Sequence, residues 1–542
     1  MNYSWAIDQR KCIGCHACTT ACKSENEVPL SVDRTFVKYV EKGTFPNAQR
    51  HFGVLRCNHC AKPPCVDICP VTAMFKRDDG IVEFNSDACI GCKACIAACP
   101  YDAIYIDPHA GTAAKCNFCT HRLDVGLEPA CVVVCPEEAL IFGDLDDPNS
   151  KISQLVGREK TQVRKPEKNT EPKCFYIGAD EAVLNPDLQS HDPSGMYMWS
   201  NQIEQEHEHG PVLDNNLSLA SALNRVTGAK VAYDVPHRAP WGSDVSCYLW
   251  TKSIASGVFM VAWFLFGLHH YGLVNFKSHF DAFYFLGVPL VSSSPHWLLW
   301  FGPLTGLIFL GLTGIFLIKD LDRPERFFTI LTRPQWKSWL AIGAYIILFY
   351  SIALVLDLVL FFSDMPVLLE LMLNLSLPLS IMTAIYTAYL FAQAKGRDLW
   401  QNPLLPASLF LQAVIAGSSV LMLAAPFFSG SPVVLTLLAF VLTVAIFSKL
   451  SMVLLGEVMV EHSSKAQSRA INIMVYGTYK QLFWGGFVFA GSITPVVMLS
   501  LALSHSLFQF ELVYPVAALL SLIGLFAYEH CFVMAGQSVR LS

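Results

Sequence analysis

The residues best suited to chemistry in this 542-residue sequence are its cysteines, because sixteen of the nineteen fall between Cys12 and Cys135. They form four groups of four. The first group has the spacing C-x2-C-x2-C-x3-C, and the third repeats it. The second has two extra residues in its middle gap, and the fourth has a longer insertion there. The groups are Cys12, Cys15, Cys18 and Cys22; Cys57, Cys60, Cys65 and Cys69; Cys89, Cys92, Cys95 and Cys99; and Cys116, Cys119, Cys131 and Cys135.

This spacing is typical of 4Fe–4S clusters. Three closely spaced cysteines wrap three corners of a cubane, and the fourth begins a helix that reaches the other cluster of a pair. Gly14 and Gly91 lie in the tight first turn of their groups, where the backbone must pass close to a cluster. Zinc usually takes two separated CxxC pairs, and neighbouring cysteines in such turns make poor disulfides. We therefore expect four 4Fe–4S clusters, which together would conduct electrons.

Composition divides the chain into two unlike parts. Hydrophobic residues make up 53% of it and charged residues 15%, and the mean hydropathy of +0.40 is too high for a soluble protein of this size. The apolar residues lie almost entirely after Val245. A net charge of −6 argues against nucleic-acid binding. The N-terminus lacks the basic and apolar regions of a signal peptide, so we expect none.

The polar part of the chain carries short predicted strands between its cysteine turns. Ile81–Phe84 and Ala103–Ile106 are strands of the kind that flank clusters in two-cluster ferredoxins, and the fourfold cysteine frame indicates internal duplication. After residue 150 the chain becomes charged and proline-bearing, which predicts a linker with ordered patches such as Cys174–Ile177. Its acidic tract Glu204–His209 is expected to be a solvated loop rather than a metal site. The predicted domains are 1–150, 151–245 and 246–542.

Eight apolar runs follow, each about 20 residues long and able to cross a hydrocarbon core of ~30 Å. They are predicted near 248–272, 295–319, 338–362, 369–393, 404–426, 432–456, 482–504 and 513–536. Pro303 and Pro378 lie inside two of them, which a helix bundle tolerates. The predicted fold class is an α+β ferredoxin-like iron–sulfur domain, built of two pseudo-repeated two-cluster ferredoxin units, followed by an all-α polytopic membrane bundle of eight transmembrane helices.

Basic residues in the loops predict the orientation of the bundle. With eight spans both termini lie on one side, and that side carries eleven lysines and arginines against Lys277 alone on the other. The eleven are Lys319, Arg323, Arg326, Arg333, Lys337, Lys395, Arg397, Lys465, Arg469, Lys480 and Arg540. This count places the bundle in the inner (cytoplasmic) membrane with the iron–sulfur domain in the cytoplasm. Export of a folded iron–sulfur domain together with a partner would place that domain in the periplasm instead.

Two parts of the sequence carry family resemblances. The cysteine ladder, over about residues 1–145, resembles the electron-transfer subunit of the dimethyl sulfoxide reductase family of molybdenum enzymes. The second half, over about 245–540, resembles the eight-span membrane subunit of polysulfide and formate-dependent nitrite reductases. The second resemblance rests on Lys319–Arg326 with Arg333-Pro334, on Lys395–Trp400 and on Ala535–Gln537. Two subunits that are usually separate would then be fused in one chain.

The resemblance implies partners and cofactors. A separate catalytic subunit would hold a bis-pterin molybdenum or tungsten cofactor, since this sequence shows no pterin-binding signature. It also shows no paired transmembrane histidines for a haem, so no haem is expected. Because Cys92 is present, the cluster of the third group is expected to have four irons. The implied ligand sets are Cys12, Cys15 and Cys18 with Cys135; Cys116, Cys119 and Cys131 with Cys22; Cys57, Cys60 and Cys65 with Cys99; and Cys89, Cys92 and Cys95 with Cys69.

A membrane subunit at the end of such a series of clusters implies a quinone, either menaquinone or ubiquinone, near the side of the bundle that faces the iron–sulfur domain. Ionisable residues inside spans are functional candidates by default. The family places the quinone beside the first span, so Lys252 is the principal candidate. The further candidates are Tyr386, Tyr389, Lys449, Glu457, Glu529 and His530. The alternatives are that Lys252 and Lys449 extend to the lipid headgroups and that Tyr389 belongs to an aromatic belt.

The charge-dense segment Asp320–Arg326 is expected to dock the iron–sulfur domain, with proton delivery as its second interpretation. As a whole, the sequence predicts an electron-transfer and membrane-anchor subunit of a molybdopterin-dependent respiratory oxidoreductase. Its own chemistry would be limited to quinone oxidation and reduction. The alternative is a subunit of a larger respiratory complex or hydrogenase that couples quinone chemistry to ion transport.

Overall fold

The computed structural model describes residues 1–43, 45–190, 228–237, 239–274, 283–285, 288–291, 296–428, 432–462, 464–504 and 512–542. The tract Glu204–His209 and Lys277 lie outside these ranges.

The N-terminal domain is built of short strands and short helices around the cysteine turns. Its strands are β1 (Tyr3–Asp8), β2 (Thr35–Lys42), β3 (Gln49–Arg56), β4 (Met74–Lys76), β5 (Val82–Phe84), β6 (Ile104–Asp107), β7 (Thr112–Lys115), β8 (Leu140–Asp144), β9 (Thr161–Gln162), β10 (Cys174–Ile177) and β11 (Ala229–Tyr233). Its α-helices are Ala17–Glu25, Pro64–Ile68, Ala94–Ala98, Thr120–Leu123, Ala130–Val133, Lys151–Arg158 and Glu181–Leu184. The predicted strands in 81–84, 103–106 and 174–177 are confirmed.

The strands form small sheets that tie the beginning and the end of the domain together. One sheet has the order β8-β1-β10-β9, with β1 antiparallel to β8 and parallel to β10. A second has the order β11-β2-β3, and β4–β5 and β6–β7 are separate hairpins. The predicted linker thus contributes β9, β10 and β11 to sheets of the iron–sulfur domain. The three-part division of the chain stays a prediction, but its middle part is more ordered than a linker.

Eight helices among the described residues are long and apolar enough to span a membrane. In chain order, spans one to eight are Ser243–His270, Trp297–Lys319, Trp339–Phe362, Pro366–Gln393, Leu405–Phe428, Val433–Val458, Leu482–Ser504 and Val513–Gln537. The prediction of an eight-helix bundle is confirmed, and only the start of span one differs by as many as five residues. Spans one, five and eight are the most buried. Span one meets span five so closely that a Cβ on Gly257 would lie 1.8 Å from the Ala413 oxygen.

Two spans contain π-helical turns, and the loops contain shorter elements. The π-helical segments are Leu454–Val458, at the end of span six, and Leu482–Ile493, at the start of span seven. Such turns are often found at functional sites. Further elements include the helices Thr329–Thr332 and Lys465–Val475 and the strands β12 (Phe283–Phe285) and β13 (Val288–Val291), which pair antiparallel.

The loop after span two docks onto the turn of the third cysteine group. The Asp322 N–H donates to the Gly91 carbonyl (3.3 Å), and the Lys93 ammonium lies 3.3 Å from an Asp322 carboxylate oxygen. Gly91 has φ +69°, and a Cβ there would lie 2.8 Å from the Asp322 Cβ. Only glycine therefore fits this position, both for its left-handed backbone and for the approach of the loop.

Side chains of the same loop extend the contact. Arg326 donates to the carbonyls of Ser86 (2.8 Å) and Cys89 (3.0 Å). Lys93 donates to the carbonyl of Asp320 (2.8 Å), and burial raises the pKa of the Asp320 carboxyl to about 7, against the lowering effect of Lys93. The prediction that Asp320–Arg326 docks the iron–sulfur domain is thus confirmed.

Candidate functional site

Each cysteine group opens with the same backbone turn. The residue before the second cysteine has a left-handed φ in all four groups: Gly14 (+70°), His59 (+41°), Gly91 (+69°) and Phe118 (+62°). This conformation is uncommon for bulky residues. The two bulky side chains are fixed by packing, since their rings lie 4.4 Å apart and Phe118 stacks on Trp5 at 4.3 Å. The sequence repeat therefore corresponds to a repeated local structure, even where glycine is replaced.

The structure brings the sixteen cysteines together in four interleaved sets. Set A is Cys12, Cys15, Cys18 and Cys135; set B is Cys22, Cys116, Cys119 and Cys131; set C is Cys57, Cys60, Cys65 and Cys99; set D is Cys69, Cys89, Cys92 and Cys95. The four thiols of set A line one cavity together, and the same holds for set B and for set D. In set C, burial raises the pKa of Cys60, and the neighbouring Cys57 and Cys99 raise it further. These are the sets that the family resemblance implied.

The arrangement of these side chains fits a polynuclear cluster better than a single metal ion. Among the residues that the structure describes, no three cysteine, histidine or carboxylate side chains converge as the ligands of one ion do. The thiols instead surround cavities, as four corner ligands of a cubane must. Zinc would need four ligands at bond distance from one point.

A buried arginine beside two of the sets supports an anionic occupant. Arg56 is 1% exposed, donates to the Cys131 sulfur (3.3 Å) and lies over the Trp5 ring. Its Nε and Nη2 have no hydrogen-bond partner among the described residues. Burial lowers the pKa of Arg56, but the thiols of Cys131 and Cys116 outweigh burial and raise it. A cluster held by four thiolates would supply the negative charge that this cation otherwise lacks.

The four sets are neighbours in sequence of contact. Burial raises the pKa of Cys95, Cys116 and Cys18, and a thiol of a neighbouring set raises each further: Cys65 of set C acts on Cys95 in set D, Cys57 of set C on Cys116 in set B, and Cys131 of set B on Cys18 in set A. The order is therefore D, C, B, A. Set A reaches the surface, because Cys15 is exposed.

Set D lies against the membrane bundle through an aromatic layer. Trp241, just before span one, donates its indole N–H to the Cys92 carbonyl (3.2 Å). Its ring stacks on Trp400 (5.3 Å), and Trp400 stacks on Phe391 (4.8 Å). Gly536 allows this packing, since a Cβ there would lie 2.1 Å from the Trp400 Nε1. The Lys395–Trp400 and Ala535–Gln537 motifs thus meet at the junction of the two domains.

Lys252 lies within the bundle rather than at its surface. The side chain is fully buried, and its ammonium donates to the Ala384 carbonyl (2.9 Å) and to the Thr387 hydroxyl (2.8 Å). It also lies 5.2 Å from the centre of the Tyr386 ring. Extension of Lys252 to the headgroups, the alternative interpretation, does not occur in this structure.

A chain of buried polar side chains continues from there across four helices. Glu529 accepts from Ser253 (3.2 Å), next to Lys252 in span one. With the amide of Gln412 oriented by its partners, its nitrogen donates to Glu529 (3.0 Å) and its oxygen accepts from Lys449 (3.1 Å). We refer to Lys252, Ser253, Glu529, Gln412, Lys449, Tyr528 and Glu457 as the polar chain.

The far end of the polar chain is Glu457, on the π-helical turn of span six. The Lys449 ammonium hydrogen-bonds to Ser408 and lies 3.8 Å from the centre of the Tyr528 ring. The Tyr528 hydroxyl donates to Glu457 (3.0 Å). These members are buried and contact one another rather than bulk water, and among the described residues Glu529 Oε2 has no hydrogen-bond partner.

Two predicted candidates lie elsewhere. Tyr389 is 39% exposed and stacks on Trp339 at 4.5 Å on the outside of the bundle, as the aromatic-belt alternative expected. His530 is half-buried, shares a hydrogen bond with Ser246 (3.2 Å) and packs against Phe526. Gln412, Tyr528 and Arg56 were not predicted. A glutamine inside an apolar span was the one signal that could have identified Gln412.

Comparison with known proteins assigns both parts of the chain. Residues 234–540, more than half of the sequence, match the family described as polysulphide reductase, NrfD. The chain belongs to the NrfD family, with an iron–sulfur subunit fused to it. Residues 4–70 and 49–145 each match a 4Fe-4S dicluster domain. The NrfD part contains all eight spans, and the dicluster matches contain all sixteen cysteines of sets A to D.

Curated relatives match about a third of the chain. The chain is 46% identical over 189 residues to a tetrathionate reductase subunit of Salmonella typhimurium, which covers 34% of the chain and 75% of the relative. It is 46% identical over 178 residues to one of the polysulfide reductase chains of Wolinella succinogenes, and this match covers 32% of the chain and 93% of the relative. It is 37% identical over 225 residues to the arsenate respiratory reductase iron-sulfur subunit of a Shewanella species, and this match covers 33% of the chain and 96% of the relative.

Proposed function

We propose that this protein carries electrons between a molybdopterin catalytic subunit and membrane quinone, through four 4Fe–4S clusters held by sets A to D. Its relatives are named as subunits of tetrathionate, polysulfide and arsenate reductases, which supports a separate catalytic partner. With its NrfD domain, it is a multi-pass membrane protein. The observation that carries the proposal is the line of four thiol sets from exposed Cys15 to the Trp241 layer above the bundle.

The polar chain is the site that we propose for quinone chemistry. Lys252 is nine residues into span one, which is about 13 Å from its iron–sulfur end at 1.5 Å per residue. A quinone carbonyl beside it would accept a hydrogen bond from the ammonium, which would stabilise negative charge on that oxygen. Reduction of one quinone takes up two electrons and two protons. Glu529 and Glu457 would supply or accept the protons, and Ser253 and Gln412 would hold Glu529 in position.

The test is Lys252→Met, which keeps the length and apolarity of the side chain but removes its charge and its donors. We expect normal assembly and normal cluster spectra in the purified complex, with cluster re-oxidation by a quinone analogue slowed at least tenfold, as loss of a charge-stabilising donor predicts. Lys337→Met is the matched control, because Lys337 is exposed on the same side of the bundle. Wild-type kinetics in the Lys252 variant would refute the proposed site.

We further propose that the bundle lies in the cytoplasmic membrane with the iron–sulfur domain in the cytoplasm. The loops with the eleven basic residues lie on the iron–sulfur side, which supports this orientation. Protease digestion of intact spheroplasts and of inverted vesicles would test it. Cleavage of the iron–sulfur domain in inverted vesicles alone is expected, and cleavage in intact spheroplasts alone would assign that domain to the periplasm.

A further inference from the structure

A buried carboxyl group lies in the half of the bundle that is remote from the iron–sulfur domain. Asp357 in span three is fully buried, and its Oδ2 accepts from the Ser376 hydroxyl (2.8 Å). Its Oδ1 has no hydrogen-bond partner among the described residues. A carboxyl group inside a membrane bundle is costly and usually functional. Neither cluster binding nor the polar chain uses it.

The position of Asp357 places it near the opposite face of the membrane. Span three begins beside the iron–sulfur domain, because the hydroxyl of Ser338, just before it, donates to the Ile68 carbonyl (2.6 Å). Asp357 is five residues from the other end of the span at Phe362, or about 7.5 Å along the helix. It therefore lies within two helical turns of that face of the bundle.

A face of hydroxyl groups connects Asp357 with Lys252. Ser376, Ser380, Thr383 and Thr387 recur at intervals of four, three and four residues along span four, so they share one face of the helix. All four are fully buried. The first donates to Asp357, and the last accepts from Lys252. We refer to these four residues as the hydroxyl face.

The hydroxyl groups in the middle of the hydroxyl face bond to carbonyls of their own helix, and no charged side chain is among these partners. Ser380 and Thr383 donate to the carbonyls of Leu377 (2.6 Å) and Leu379 (2.8 Å) in their own helix, so their oxygens remain able to accept. Tyr350, two turns before Asp357 in span three, donates to the Ala255 carbonyl of span one (3.2 Å). The Cβ atoms of residues three or four apart on one helix face are about 5–6 Å apart, a separation that one water could bridge between their hydroxyls.

We propose that Asp357 and the hydroxyl face form a proton route between Lys252 and the side of the membrane opposite the iron–sulfur domain. The inference rests on the proposed quinone chemistry and adds a direction to it. For each quinone reduced, two electrons arrive from set D, and at least one of the two protons taken up enters through Asp357 from the opposite side. Quinol oxidation releases it by the same route. Electron and proton then enter from opposite sides, so turnover moves charge across the membrane.

The experiment uses the complete complex, with its catalytic partner, reconstituted into phospholipid vesicles. Cluster oxidation by a quinone analogue is followed by absorbance, and the membrane potential by a voltage-sensitive dye. The wild type is expected to generate a potential during turnover. Asp357→Asn keeps the bond from Ser376 but cannot transfer a proton, so turnover is expected to slow roughly tenfold or more, with loss of the potential. Thr383→Val, which removes one hydroxyl from the middle of the face, is expected to show the same loss in part.

Asp364→Asn is the matched control, since Asp364 is an exposed carboxylate just beyond the same end of span three. It is expected to behave as the wild type. Cluster spectra and elution volume must be normal in every variant. If the quinone analogue oxidises the clusters but the wild type generates no potential, or if Asp357→Asn matches the wild type in both measurements, the route is refuted and the proposed function stands. If the wild-type clusters do not react with quinone at all, the proposed function fails and the route with it.

Discussion

The iron–sulfur domain and the membrane bundle assemble their reactive groups over very different sequence distances. Three thiols of set A come from one turn, Cys12 to Cys18, whereas the bond between Ser253 and Glu529 joins residues 276 apart. In the first case the backbone turn itself fixes the site, and in the second only helix packing does. A sequence motif therefore identifies sites of the first kind and does not identify those of the second.

The two regions also neutralise buried cations differently. Arg56 has unpartnered nitrogens beside the thiols of two sets and depends on the charge of what those sets hold. Lys252 has its hydrogen bonds satisfied by a carbonyl and a hydroxyl, with Glu529 nearby. The buried cation of the iron–sulfur domain therefore relies on the charge of the clusters, while the protein itself supplies the hydrogen-bond partners of Lys252.

The largest effect is expected from loss of a single thiol. Cys92→Ser removes one corner of set D, so the iron content should fall from about sixteen per chain to about fifteen if a three-iron cluster remains, or to about twelve if the cluster is lost, and electron transfer to quinone should cease. Iron and acid-labile sulfide analysis of anaerobically purified protein measures this. Cys174→Ser is the control, because Cys174 is a buried cysteine outside the four sets. Full iron content and activity in the Cys92 variant would contradict the assignment of set D.

Arg56→Gln tests whether this arginine depends on cluster charge. Removal of a positive charge some 6 Å from a cluster should lower its reduction potential by about 100 mV, on an effective dielectric constant of about 20. A redox titration followed by electron paramagnetic resonance measures the shift. Arg158→Gln, at an exposed arginine of the same domain, should leave all potentials unchanged. Unaltered potentials in the Arg56 variant would mean that sets A and B hold no charged group.

A smaller effect is expected from His237, which joins the N-terminal domain to the segment before span one. Burial alone lowers the pKa of His237, but Asp234 and Asp102 outweigh burial and raise it to about 9. The protonated form thus stabilises the fold by up to about 3 kcal/mol below the ordinary pKa near 6.5, and this stability is lost as the pH rises through 9.

The melting temperature of the purified protein should therefore fall between pH 6.5 and 9.5. His237→Gln should lower the melting temperature at pH 6.5 and flatten the curve over this range. His121→Gln, at a half-exposed histidine paired with Glu25, should preserve the slope. A wild-type melting temperature that does not change across this range would show that His237 is not charged in the folded protein.

The smallest effect is expected at Tyr389, on the outer surface of the bundle. Tyr389→Phe should change the rate of cluster oxidation by a quinone analogue by less than about twofold, because its ring faces away from the polar chain. Tyr386→Leu removes the aromatic face beside Lys252, a contact worth about 0.5–2 kcal/mol, and should slow the reaction several-fold. The reverse order of effects would place the quinone outside the polar chain.

The features that could be predicted from the sequence are those that depend on a short stretch of the chain. Cysteine spacing was sufficient for the thiol groups, and hydropathy for the eight spans, because each is a property of a short stretch. The left-handed backbone of His59 and Phe118 was not predictable, since it depends on packing against distant residues. The same holds for Arg56, whose thiol neighbours come from both the first and the fourth cysteine groups.

Within the bundle, prediction succeeded only for the groups that membrane burial makes costly. Lys252, Lys449, Glu457 and Glu529 all belong to the polar chain, because a charge inside a span needs polar neighbours. Tyr389 and His530 do not, because the rotation of each helix about its axis decides which way a tyrosine or histidine points. Asp357 was not predicted, because the quinone is expected in the half of the bundle nearest the clusters and Asp357 lies in the other half.

The arginines of the loops between spans have a role in addition to any effect on membrane orientation. Arg323 and Arg326 donate to carbonyls at Ala110 and Cys89, and Arg469 pairs with Asp187, all in the part of the chain before span one. Part of the positive charge on this side therefore stabilises the contact between the membrane part of the chain and the part before span one. Replacing these arginines would therefore weaken the contact between the two fused parts of the chain, independently of how the helices are oriented in the membrane.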